Sequence, residues 1–143
     1  MGSCDWTPRE LIRGIRNSGY EVRPDPDHGI RIEPRYANPE PMFPDFKAAV
    51  EASTVKIAAE LKREIGERIL AMYEKLERAA NGVKVPYTDP VRSASDTVDQ
   101  ICRDYENGSR TRQDAFNAIE RLEGVWMVEA VKAGRLARSG GKS

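Results

Sequence analysis

The chain is short of several things that chemistry usually needs. It has one histidine, His28, and two cysteines, Cys4 and Cys102, in 143 residues. A single histidine restricts any Ser–His–Asp triad to His28. The two thiols, one near the N-terminus and one at an apolar position of an expected helix, suggest neither a disulfide framework nor a thiolate metal site. No apolar run approaches the ~20 residues of a membrane span, and MGSCDWTPRE lacks the apolar region of a secretory signal. Phosphate-cradling glycine loops, HExxH, paired CxxC and GxSxG are missing as well. These absences set the expectation of a non-enzymatic cytoplasmic protein, without cofactor, metal or membrane partner.

An excess of charge of one sign is also lacking. Lys and Arg number 23 and so do Asp and Glu. The balance is local: six basic and six acidic residues in 1–35, seven and seven in 45–80, eight and eight in 96–143. A nucleic-acid binder concentrates positive charge to displace counterions from phosphates. Here only KAGRLARSGGKS leans that way, so nucleic acid is possible but not favoured. Arginine outnumbers lysine 16 to 7, which fits a GC-rich genome and says little else; a bacterial or phage source is the accompanying expectation.

What is present is mostly helical patterning, with charged residues at 32% of the chain. In WTPRELIRGIRNSG, Thr7 can cap a helix, Pro8 suits its first position, and Glu10 completes a capping box. Trp6 stands where it could staple onto Leu11. Leu11, Ile12 and Ile15 form the apolar face, and Gly19 is a natural stop. Tyr20 and Val22, then Ile30 and Ile32, alternate with Glu21, Arg23, Arg31 and Glu33, which predicts two short strands. The turn PDPDHG joins them into a β-hairpin whose apolar side needs a cover, because a two-stranded hairpin is marginal alone. The stretch YANPEPMFPD reads as an extended spacer.

From Asp45 to Ala80 there is no proline inside a helical pattern, and Asn81-Gly82 ends it. Val50, Ile57, Leu61, Ile65, Ile69, Met72, Tyr73 and Leu76 make one apolar stripe. A straight helix of this length would run ~54 Å at 1.5 Å per residue, longer than a compact domain of this size, with Gly66 the cheapest place to bend. A shorter helix follows, carrying Val98, Ile101, Cys102 and Tyr105, with Ser93 or Ser95 as its cap. Asn107-Gly108 stops it, and Thr111 with Asp114 opens another helix through Phe116, Ile119, Leu122, Trp126 and Leu136.

The expected fold is therefore α+β, predominantly α: an N-terminal helix plus β-hairpin, then a long helix and an antiparallel helical hairpin forming a three-helix bundle. The expected segments are 1–36 (helix and hairpin), 37–44 (Pro-rich linker), 45–137 (helical bundle) and 138–143 (disordered tail).

Candidates for chemistry are few. Asp25, Asp27 and His28 could hold a divalent ion, but Asp, Pro and Gly are favoured in turns for backbone reasons alone. Glu60, Glu64, Glu67 and Glu74 are interleaved with Lys and Arg, which suits a solvated face. Arg9, Arg13 and Arg16 share a helix face, where a phosphate-binding stripe competes with a solvated one.

The run TPRELIRGIRNSGYEVRPDPDHGIRIEP resembles the opening of HicA-type toxins, small ribonucleases of the double-stranded-RNA-binding fold. It is similar, too, to the helix–hairpin docking modules of modular biosynthetic enzymes. The first resemblance implies that His28 is a general base or acid, flanked by Arg9, Arg13 and Arg16. It covers about 28 of 143 residues. Asp27 precedes His28 where that family has Gly-Ser, and no third strand is apparent after Pro34.

The function expected from the residues themselves is protein–protein interaction: an adaptor, assembly component or inhibitor, acting on a protein partner or by self-association. The surface expected to carry it is the long-helix stripe Ile57, Leu61, Ile65, Ile69 and Tyr73, with Trp126 as a second aromatic anchor.

Overall fold

A computed structural model describes residues 6–37, 39 and 41–140. Cys4, residues 38 and 40 of the Pro-rich stretch, and tail residues 141–143 lie outside that set. The element order is α1 (Pro8–Asn17), β1 (Tyr20–Asp25), β2 (Gly29–Pro34), α2 (Pro44–Ala52), α3 (Thr54–Ala79), α4 (Asp89–Glu106) and α5 (Arg112–Gly140). This is the expected mostly helical α+β arrangement. The chain divides into two compact units. Unit 1 comprises residues 1–64 and 105–111, and unit 2 comprises 65–104 and 112–143.

Unit 1 starts with the capping box that the sequence announces. The Glu10 amide donates to Thr7 Oγ1 at 3.1 Å, and the Thr7 amide donates back to Glu10 Oε1 at 2.8 Å. The Thr7 backbone, and then its hydroxyl, hold the Glu10 carboxyl below the usual carboxylate range. Trp6 meets Phe46 edge to face, with centroids 5.3 Å apart. Leu11, Ile12 and Ile15 are buried.

The hairpin pairs Tyr20 with Pro34, Val22 with Ile32, and Pro24 with Ile30 on one face. Glu21, Arg23, Asp25, Arg31 and Glu33 occupy the other, cross-linked by Arg23 to Glu33 at 2.9 Å and Arg31 to Asp25 at 3.6 Å. The apolar face is covered within the unit: Val22, Pro24 and Ile30 are all buried. α1 lies against β1. The 107–111 turn closes on the hairpin so tightly that a Cβ on Gly108 would stand 2.9 Å from the Pro24 carbonyl oxygen. Gly108 also has a φ of 81°, a conformation that favours glycine.

The expected helix from Asp45 to Ala80 is two helices. α2 ends at Ala52, and Ser53 takes φ −120° and ψ 20°, its amide bonding back to Val50 O at 3.1 Å. The Ser53 carbonyl then accepts the Ile57 amide at 2.8 Å and starts α3. The break thus falls at Ser53-Thr54, residues of modest helix propensity. α3 itself runs unbroken through Gly66.

In unit 2 the later part of α3 joins α4 and α5. Met72, Leu76, Val91, Val98, Ile119 and Leu122 are its principal large core residues. Asn81 (φ 54°) and Gly82 (φ 78°) end α3 in left-handed geometry. α4 begins at Asp89, before the expected caps Ser93 and Ser95, because Pro90 falls in its first turn, where no amide is needed. α5 runs through Leu136, as the pattern predicts. Leu136 is exposed, Cys102 is only partly buried, and α5 stays helical past Arg138 to Gly140. Among the described residues, no helix is long and apolar enough to cross a membrane.

Candidate functional site

Within the expected binding stripe, Ile57, Leu61 and Ile65 are buried by the chain itself. They are core residues and offer no free surface for a partner. Ile69 is partly buried, while Tyr73 keeps 48% of its surface exposed. The stripe therefore turns outward only at its C-terminal end, inside unit 2.

There Tyr73 on α3 meets Trp126 on α5 edge to face, with centroids 5.7 Å apart and planes at 76°. Tyr87, in the segment between α3 and α4, meets the same indole at 5.6 Å and 64°. Tyr87 is 47% exposed. The Arg92 guanidinium lies 5.9 Å from the Tyr87 ring centroid, within reach of a cation–π contact. Edge-to-face pairs of this kind contribute about 0.5–1.5 kcal/mol each beyond area burial.

The cluster is held by its surroundings. Trp126 Nε1 donates to the Pro86 carbonyl at 3.2 Å, so the indole N–H is satisfied and its orientation is set. Glu123, one turn before Trp126, accepts from Arg68 Nη1 at 3.0 Å and has Lys75 Nζ at 3.7 Å. Farther along, Asn81 Nδ2 donates to Gly134 O at 3.4 Å. A Cβ on Gly134 would collide with the Ala79 carbonyl oxygen, so α5 approaches the end of α3 through a residue without a side chain. α3 and α5 are thereby fixed on either side of the aromatic contact.

The sequence pattern marks Tyr73 and Trp126 but not Tyr87 or Arg92. Tyr87 sits in a loop, VPYTDP, where no periodicity marks a shared surface. Its one signal is an aromatic residue just before a helix start, a position that packing alone does not require.

The nucleic-acid candidates stand differently. Arg16 grips Glu64 with two bonds of 2.9 Å, and Arg9 Nη2 donates to Glu60 Oε2 at 3.3 Å. Two of the three arginines therefore face carboxylates that neutralise them, and Arg13 is exposed beside Glu10. The His28 side chain is 80% exposed at the hairpin turn, with Nδ1 3.8 Å from Asp25 Oδ2. Asp25 serves the turn: its Oδ1 accepts the Asp27 amide at 2.8 Å and the His28 amide at 3.3 Å. Those amides, the Asp27 one foremost, keep the Asp25 carboxyl below its usual range, with smaller help from the charges of His28 and Arg31. Among the described residues, no three His, Cys, Asp or Glu side chains form a metal-ligating group.

The sheet of the described residues has two strands. Compared with protein-family models, curated proteins and solved structures, the chain finds no match.

Proposed function

We propose that this is a protein-binding protein, an adaptor, assembly component or inhibitor, that grips its partner with the Tyr73–Trp126–Tyr87 cluster of unit 2. One observation carries the reading. One tryptophan makes edge-to-face contacts with two tyrosines that each keep about half their surface in water.

Tryptophan, tyrosine and arginine are the residues that most often dominate the energy of protein interfaces. Rings already fixed by packing lose little side-chain entropy when a partner arrives. Here the indole N–H is already bonded to Pro86, so the cluster offers apolar and ring surface while Arg92 supplies a charged edge. The matching partner surface is an apolar anchor, such as a leucine, methionine or proline side chain, with a hydrogen-bond acceptor near Arg92. A partner protein or a second copy of this chain could present it.

Photo-crosslinking tests the reading in the cells that make the protein. A photoreactive phenylalanine analogue replacing Tyr87 is expected to trap one or a few discrete proteins. The same analogue at Val55, an exposed position of unit 1, is expected to trap none of them. Identical adducts from both positions, or none from either, would contradict the proposal.

A further inference from the structure

Unit 1 contains a cavity of about 420 Å³ between α1, the 41–43 segment and the start of α2. Small-molecule sites usually measure about 300–1,000 Å³, so the volume suits a ligand rather than a few waters. Trp6, Met42, Phe43 and Phe46 line it. Trp6 and Phe46 meet edge to face at its wall, with planes at 73°. Among the described residues lining it, Asp45 alone is ionisable.

We propose that this cavity binds a methylated ammonium group, a site independent of the unit 2 cluster. The faces of aromatic rings carry negative electrostatic potential and attract cations, and quaternary ammonium groups are the cations best suited to aromatic walls. Their charge is spread over methyl groups, so little hydration is lost on entry, and they have no N–H that needs an acceptor. A primary ammonium would bring three donors. Besides Asp45, the polar side chain lining the cavity is Ser18, whose hydroxyl donates to the Gly14 carbonyl at 2.9 Å and leaves its oxygen as one further acceptor, so the side chains present two acceptor groups to three donors. An anion would meet the Asp45 carboxylate and be repelled. The combination of aromatic walls, a thioether and one carboxylate selects a diffuse cation.

Calorimetric titration of the full chain with choline, and with its uncharged isostere 3,3-dimethylbutan-1-ol, tests the site. Choline is expected to bind saturably, with the isostere at least about ten-fold weaker, as loss of a desolvated cation–π contact implies. Phe43→Ala and Asp45→Asn should each weaken choline by a similar factor. Phe43 is 81% exposed, so its truncation should leave the thermal unfolding of the chain unchanged. A peptide bearing trimethyl-lysine, run against the same peptide with a neutral isostere, separates the two sources of the group. Tighter binding of the peptide identifies a methylated protein, and tighter binding of choline a free small cation. Equal affinity for charged and uncharged probes, or no saturation by choline or the peptide, overturns the proposal.

Discussion

Phe46 rests its ring on the backbone of Gly14, one helix on another. A Cβ added to Gly14 would come within 2.7 Å of Phe46 Cε1. Alanine at a mid-helix glycine normally stabilises by roughly 1 kcal/mol. At position 14 the overlap should reverse that sign, since forcing extra volume into a packed contact costs about 1–3 kcal/mol. Gly14→Ala should therefore lower stability by up to about 2 kcal/mol in urea unfolding, and adding Phe46→Leu should recover part of the loss.

Gly66 is the opposite case. It lies inside α3, with no atom within 4 Å of where its Cβ would be. Gly66→Ala should stabilise by about 0.5–1 kcal/mol, a rise of roughly 2–4 °C in Tm. A fall would show that α3 bends there in solution. The same substitution at two helical glycines is thus expected to act in opposite directions.

The hairpin turn should weaken in acid through Asp25. Its carboxylate accepts two turn amides and titrates below its usual value. A carboxyl lowered by folding stabilises the folded state above its unfolded pKa, roughly 3.9, and loses that contribution as pH falls through the lower folded value. The amide that bonds Asp25 most closely, that of Asp27, should therefore shift as pH falls below about 4. Asp25→Asn should keep the turn, since its amide oxygen can accept the same bonds, and abolish that acid shift. Asp25→Ala should loosen the turn at every pH.

Local signals were legible in the sequence, and tertiary ones were not. The Thr7–Glu10 box, the alternation of Tyr20 to Ile32 and the Asn-Gly stops each depend on a few neighbouring residues, and each appears where expected. The break at Ser53 does not interrupt the apolar stripe, so periodicity alone passes through it. Burial was only half legible: Ile57 and Leu61 had to be apolar, but whether this chain or another covered them depended on packing at a distance. Leu136 shows the converse, since a residue in phase with a buried face emerges into solvent. In the candidate site, Tyr73 and Trp126 were visible as aromatics on helix faces. Tyr87 reaches Trp126 only because the segment after α3 folds back beside α5, which no short window of sequence encodes.

The most direct measurement is the affinity of a crosslinked partner for the wild-type chain and for a Tyr73→Ala/Tyr87→Ala variant, with unfolding curves confirming that both are folded. If the aromatic cluster is the gripping surface, the double variant should bind at least about 30-fold more weakly, the loss expected when an interface anchor worth some 2 kcal/mol is removed. Equal affinity of the two proteins would contradict the account.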